Sequence, residues 1–269
     1  MRLTISIVTF NNEDVIEEAL DSIEKSTLPP FVYDVIVVDN SSTDKTRDII
    51  SLKYPGITLI PSANVGYGAG HNQAIQLAAH KSDYHLVMNP DVYFSEDVLE
   101  KLIAFMDKRE DTGLVMPKIL YPDDRIQYLC KQLPTPFDLI GRRFIPGFLK
   151  PLFKKRRDRY ESRDREYNQT MEVPHLSGCF MMLRTKIFAT VGLFDERFFM
   201  YLEDVDFSRR VNACYKTIYY PEISIYHHYH KGSYKRWKHL SYHIVSAIKY
   251  FNKWGWFRDP QRKAINARQ

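Results

Sequence analysis

Six short stretches of this 269-residue chain carry side chains able to do chemistry. Thr9-Phe10-Asn11 and Asp39-Asn40 each follow an apolar run, and a carboxylate at a strand end can accept hydrogen bonds from a base or a ribose. The same residues also suit a plain strand-to-helix turn with a cap. Asn64-Val65-Gly66-Tyr67-Gly68-Ala69-Gly70-His71-Asn72 spaces its glycines at every second residue, which lets a backbone approach a ligand while the following helix N-terminus favours phosphate. A tight turn is the simpler alternative, and the spacing is not the G-x-G-x-x-G of a nicotinamide site. Asn89-Pro90-Asp91 presents one carboxylate beside a proline, a pattern shared with ordinary Asx-Pro turns. Glu203, Asp204 and Asp206 crowd the first turn of a helix, as a general base with its helpers or because the helix dipole favours acids there. Last, His227, His228 and His230 follow an apolar run, and strand alternation sends adjacent histidines to opposite faces, so only some of them can share one metal.

These residues need a scaffold, and the first 120 positions supply one. Short apolar runs alternate with segments of helical period, the pattern of strand-helix-strand units and a parallel sheet. Strands are expected at Leu3 to Phe10, Val35 to Val38, Ile57 to Ile60, His85 to Met88 and Gly113 to Leu120, with helices near Glu13 to Ser26 and Ala69 to Ala79. Ser95 is expected to cap a further helix whose apolar face is Val98, Leu99, Leu102, Ile103 and Met106. Asp39-Asn40 and Asn89-Pro90-Asp91 then fall at strand C-termini, where open α/β sheets bind ligands. From about 121 to 170 the periodicity fails and prolines accumulate, so an irregular insertion is expected. A strand over Ser177 to Leu183 and a helix over Glu203 to Ala213 follow. The fold class is thus α/β, divided into a domain over 1–233 and a basic, aromatic, helical extension over 234–269.

Charge is uneven. The net +5 conceals ten Lys or Arg between 140 and 165 against Asp158, Glu161 and Asp164, and ten more from Lys231 onward against Asp259 alone. Phe144, Phe148, Leu149, Leu152 and Phe153 lie among the first set, and Trp237, Trp254, Trp256 and Phe257 among the second. Such basic amphipathic stretches suit an anionic membrane surface, although long basic side chains can also cover a core. No nucleic-acid recognition motif accompanies the charge, so nucleic acid is not an expected partner. Cys130, Cys179 and Cys214 are odd in number and lack C-x-x-C spacing, and neither a signal-peptide profile nor a membrane span is visible. A cytoplasmic protein, with peripheral membrane contact, is the expectation.

The clusters and their order, over roughly Thr4 to Ser233, resemble the inverting family 2 glycosyltransferases with their GT-A fold, a Rossmann-like, mostly parallel sheet flanked by helices. Within that family the N-x-G-x-G-x-G-x-N stretch is similar to a rhamnosyltransferase-like branch. The resemblance implies that Thr9, Phe10, Asn11, Asp39 and Asn40 hold a uracil or thymine nucleoside. It implies donor contacts from Asn64, Gly66, Gly70, Asn72 and Asn89. Asn89-Pro90-Asp91 occupies the place of the family's D-x-D, making Asp91 a ligand of Mg²⁺ or Mn²⁺, with Asn89 replacing the first acid. Asp204 matches the general base of the E-D-x-D motif, Glu203 orients it or the acceptor, and Asp206 serves structure. The family's late histidine, completing the metal site, is expected at His228, with His227 next and His230 also in view. The implied activity moves a sugar, rhamnose first, from a dTDP- or UDP-sugar to a glycan or polyprenyl-linked acceptor in cell-surface polysaccharide synthesis. A nucleotidyltransferase, or a glycan- or nucleotide-binding module without turnover, are the alternatives.

Overall fold

The computed structural model describes residues 2–26, 32–141, 145–228 and 237–268. Among them, nine strands form one sheet. The first is β1 (Arg2–Thr9), whose Leu3, Ile5 and Ile7 are buried. Each such side chain contributes about 1.5–3 kcal/mol by leaving water. β1 lies between β2 (Val32–Asp39) and β4 (Tyr84–Met88), both parallel to it, and β3 (Thr58–Pro61) extends β2 in the same sense. The linking helices are α1 (Ile16–Glu24), α2 (Thr46–Lys53) and α3 (Tyr67–Ala78). This half matches the alternation read from the sequence.

The second half is mixed. β8 (Phe180–Arg184) runs antiparallel between β4 and β6 (Thr112–Leu120), and β9 (Lys216–His227) runs parallel to β6. β5 (Val92–Tyr93) and β7 (Met171–Glu172) are two-residue strands, both antiparallel to β9. Local apolar periodicity finds a strand such as 180–184 but carries no information about its direction, so the change of sense at β8 had no sequence signal. Helix α4 (Val98–Asp107) buries the five apolar residues expected of it. It starts later than expected, however: the Ser95 hydroxyl bonds the Asp97 carboxylate instead of capping a backbone amide.

The 121–170 segment is irregular, with two short helices, α5 (Pro136–Leu139) and α6 (Lys154–Tyr160), and a 3₁₀ stretch at Gly147–Phe153. Arg142, Arg143 and Phe144 lie outside the described residues. α7 (Ile187–Val191) and α8 (Glu203–Asn212) precede β9, and α9 (Trp237–Trp254) and α10 (Pro260–Ala267) end the chain.

The two terminal helices pack on α8. Leu202 and Val205 share a buried cluster with Ala247, Tyr250 and Phe251 of α9 and Ile265 of α10. Arg209, 1 % exposed, makes a two-pronged pair with Asp259 at 2.7 Å on each prong, bonds Tyr250 and Gln261, and lies 4.0 Å from the Trp254 ring centroid. Asp206 accepts from Trp254 Nε1, Lys253 Nζ and Arg210 Nε, so it ties α8 to α9. Among the described residues no helix is long and apolar enough to cross a membrane.

Candidate active site

Asp39 ends β2 fully buried. Its Oδ1 accepts from Thr9 Oγ1 (3.0 Å) and its Oδ2 from Ser42 N (3.0 Å), while Arg47 lies 3.6 Å away. The neighbouring turns are held by side chains: Asn11, at φ +56°, accepts from Thr43 N, and its own amide donates to Ser42 Oγ. Phe10, half exposed, caps the end of β1 beside them. Asn40 donates from Nδ2 to Gly66 O (3.1 Å), which fastens this corner to the glycine-rich segment and leaves Asn40 Oδ1 buried without a hydrogen-bond partner.

The glycines are demanded by close approach. Gly66 sits at φ +97°, and a Cβ there would lie 2.2 Å from Phe199 O; at Gly70 a Cβ would meet Val8 at 2.9 Å. Tyr67 N donates to the same Phe199 carbonyl, and Asn72 exchanges two bonds with the Phe194 backbone, Nδ2 to O at 2.9 Å and N to Oδ1 at 3.0 Å. Gly66 and Asn72 therefore lock the start of α3 against the loop that leads to α8. Asn64 is exposed at the mouth of this segment.

A second peptide strip, Gly178-Cys179, joins the remaining parts. Cys179 O accepts from Asn89 N (2.9 Å), Gly178 O accepts from Tyr67 Oη (2.7 Å), and Gly178 N donates to Asp204 Oδ2 (3.0 Å). A Cβ at position 178 would press on Asp204 Cβ at 3.1 Å and sit 3.5 Å from the Tyr67 ring. Tyr67 is enclosed: burial first, and then the acidic groups around it, Asp204 and Asp91 among them, push its hydroxyl pKa well above the ordinary value. Gly178 and His175 touch these residues although no sequence motif singled them out, and Tyr67 does so from within the glycine-rich stretch, where only its neighbours were read as donor contacts.

Asp91 follows β4. Its Oδ1 lies 3.3 Å from His227 Nε2, near enough for attraction but outside hydrogen-bond geometry, so that buried oxygen has no hydrogen-bond partner. Burial works against its charge, yet the adjacent His227 holds it below the usual carboxylate range. His227 is 3 % exposed; its Nδ1 meets Gln127 Oε1 at 3.0 Å, and Gln127 in turn donates to His227 O at 2.7 Å. With Nδ1–H donating to Gln127, Nε2 faces Asp91 and Asn89, whose Nδ2 is 3.5 Å away. Burial disfavours charge on this ring, but Cys179 and Asp91 outweigh it and push its pKa up to about 10. His228 points the other way, its Nε2 2.7 Å from Glu18 and its ring 5.1 Å from that of Tyr93. The structure thus sets His227, and not the favoured His228, beside Asp91, while His230 lies outside the described residues. Among the described residues no three His, Cys, Asp or Glu side chains converge as a complete cage for a metal.

Helix α8 begins after two successive residues in the left-handed region, Tyr201 and Leu202, both at φ +68°. Such a turn of non-glycine residues costs about 1–3 kcal/mol each and persists only where packing insists on it. Here α9 insists: Leu202 is buried against it, and Tyr201 Oη meets His239 Nδ1 at 3.2 Å. The turn delivers Glu203 and Asp204 to the site in different states. Glu203 is 5 % exposed with Oε2 unpartnered, and burial plus the neighbouring Asp204 raise its pKa well above normal. Burial opposes ionisation of Asp204 too, but His175 and Gly178 N bring it below the usual carboxylate range. The surroundings push the two carboxyls in opposite directions, Glu203 towards the neutral acid and Asp204 towards the carboxylate, the division an acid-base site needs.

A strand-end carboxylate, a glycine turn, an Asp–His pair and a helix-start carboxylate are thus linked through Asn40 to Gly66, Tyr67 to Gly178, Gly178 to Asp204 and Asn89 to Cys179. The sequence matches the model of Glycosyl transferase family 2 over residues 4–192. It is 29% identical, over 97% of this chain and 88% of the relative, to the N-acetylglucosaminyl-diphospho-decaprenol L-rhamnosyltransferase of Mycobacterium tuberculosis. Over 91% of each protein it is 26% identical to the rhamnosyltransferase WbbL of Escherichia coli. In fold it is similar to the mannosyltransferase PcManGT of Pyrobaculum calidifontis in complex with GDP-Man and Mn²⁺, with TM-score 0.63, 19% identity, and coverage of 98% of this chain and 68% of that one. S. aureus TarS 1-349 in complex with UDP-GlcNAc gives TM-score 0.61 at 19% identity, covering 100% of this chain and 71% of that one. The fold is therefore that of the GT-A enzymes, and the chain belongs to glycosyl transferase family 2, as a glycosyltransferase.

Proposed function

We propose that the protein transfers a sugar, with inversion, from a dTDP- or UDP-sugar to a glycan or lipid-linked acceptor in cell-surface polysaccharide synthesis. The single observation that carries the mechanism is the Asp204 carboxylate at the head of α8, fastened through Oδ2 to Gly178 N and His175 Nε2 while Oδ1 accepts from Val205 N alone. Asp39, Thr9 and Asn40 hold the nucleoside, and the N-terminus of α3, seated against Phe199 and Val8 by Gly66 and Gly70, faces the diphosphate. Asp91 and His227 would hold the cation. The unpartnered Asp91 Oδ1 and the His227 Nε2 turned towards it fit Mg²⁺ or Mn²⁺, since the field that attracts a proton there attracts a divalent ion equally. Two protein ligands suit a metal that keeps waters and takes substrate phosphate oxygens. When bound it neutralises charge growing on the leaving diphosphate. Asp204 takes the acceptor hydroxyl proton as that oxygen attacks the anomeric carbon from the face opposite the diphosphate.

Rhamnose is the first donor sugar in this reading, supported by the two rhamnosyltransferase relatives, which match this chain over nearly its whole length. The N-acetylglucosaminyl-diphospho-decaprenol in the name of the mycobacterial relative also favours a lipid-linked acceptor at a membrane surface. Phe148 and Leu152, both largely exposed beside exposed Lys154 and Lys155, suit peripheral contact with anionic lipid. The test is nucleoside-diphosphate release from a panel of dTDP- and UDP-sugars with an acceptor, in Mn²⁺ or in EDTA. Release from one donor, abolished by EDTA, is expected; release unaffected by EDTA would remove the metal from the account.

A further inference from the structure

We infer that His175 is a positioning residue for the reaction, holding Asp204 so that only its Oδ1 is open to the acceptor hydroxyl. The inference rests on the reading of Asp204 as the base. Asp204 Oδ2 is taken up by two donors, Gly178 N at 3.0 Å and His175 Nε2 at 3.3 Å. Oδ1 receives one, the Val205 amide at 2.8 Å, and keeps a lone pair. The proton from the acceptor hydroxyl therefore passes to Oδ1 while the acceptor oxygen bonds the anomeric carbon; the C–O bond to the diphosphate breaks and its electron pair leaves with the diphosphate.

What separates His175 from a histidine packed for shape is the group it bonds. The buried His71 also leaves one ring nitrogen, Nε2, without a hydrogen-bond partner, but its other nitrogen meets the Ser6 hydroxyl. His175 is 3 % exposed, its Nδ1 has no hydrogen-bond partner, and its Nε2 meets the Asp204 carboxylate at the head of α8. The ring is held in place by its backbone, since His175 O accepts from Lys131 N at 3.0 Å in an isolated bridge between the two residues. A buried imidazole that forgoes one hydrogen bond and spends the other on the reactive carboxylate pays in stability for the orientation of that group. The other groups around Asp204 are Glu203 on its own helix, Lys131 on the bridged segment, Tyr67 on α3 and Cys179 before β8. Apart from Lys131, which also favours the ionised form, none of them supplies positive charge.

The experiment compares His175→Ala, His175→Gln and Asp204→Asn with wild type, following kcat from pH 5 to 8 at saturating donor and acceptor, with donor KM and far-UV circular dichroism alongside. Gln keeps an N–H at the reach of Nε2. For His175→Ala, kcat should fall about tenfold, as expected for a lost hydrogen bond to a charged group. The deficit should be even from pH 5 to 8, because Asp204, held well below the usual carboxylate range, stays ionised throughout with or without His175. Donor KM stays near wild type, and Gln restores most of the rate. An alanine variant with wild-type kcat overturns the inference, as does a loss confined to donor KM, or a glutamine variant no better than alanine. An Asp204→Asn enzyme that still turns over at the wild-type rate would instead remove the base on which the inference stands.

Discussion

Replacing Glu203 with glutamine should change the pH dependence of stability far more than it changes the chemistry. The side chain is 5 % exposed, its Oε2 has no partner, and the adjacent Asp204 is ionised, so the carboxyl stays protonated in the fold well above a glutamate's ordinary 4.5. In the unfolded chain it ionises normally. Between those two values the native state binds the extra proton, and wild-type stability falls with rising pH by about 1.4 kcal/mol per unit on account of this one group. Glutamine imitates the neutral acid and does not titrate. Its NH₂ enters a place without a partner, which costs about 1–3 kcal/mol but shifts the whole curve by a constant. The stability of Glu203→Gln minus that of wild type should therefore climb as pH rises above 4.5, by about 1.4 kcal/mol per unit for as long as Glu203 keeps its proton in the fold. Urea unfolding at pH 5, 6 and 7 measures that difference, and other titrating groups cancel in it. Transfer by the variant should stay within a few-fold of wild type. Parallel stability curves would mean that Glu203 is ionised in the fold, and the argument from burial would be wrong.

The two adjacent histidines should behave differently on substitution. His227→Ala should weaken Mn²⁺-dependent donor binding by about 10–100-fold in titration calorimetry, while His228→Ala, which loses the contacts with Glu18 and the Tyr93 ring, should leave it near wild type. Asp259→Ala strands the buried Arg209 guanidinium and should cost about 3 kcal/mol, which at this chain length lowers the melting temperature by roughly 6–12 °C. An unchanged melting temperature would show that Tyr250, Gln261 and Trp254 satisfy Arg209 unaided.

The first half of the sheet and four of the site clusters were legible because both are local. Alternating apolar runs mark β1, β2 and β4, and the ends of those runs mark Asp39 and Asn89. The Gly66 to Gly70 spacing announced a close approach, and the structure supplies its object, the Phe199 carbonyl. What the sequence hid depends on pairing across the chain. Strand alternation shows that His227 and His228 face opposite ways, but only the pairing of β5 with β9 decides which of them meets Asp91. Gly178 binds the site through peptide groups, and peptide groups have no residue signature. His175 is an isolated histidine until α8 brings Asp204 to it. The terminal helices read as a separate basic extension, whereas Ala247, Tyr250 and Phe251 face the strained turn that aims Glu203 and Asp204. An amphipathic period cannot name the surface its apolar stripe will cover.

The most direct test of the account is Asp204→Asn. With donor, acceptor and Mn²⁺ present, the variant should bind the nucleotide-sugar as wild type does, because Asp39, the glycine turn and Asp91 are untouched. Its transfer rate should fall by about 10²–10⁴-fold, the share of a positioned general base. Binding preserved with transfer lost is the predicted result; transfer at the wild-type rate would contradict the assignment of Asp204 and the mechanism built on it.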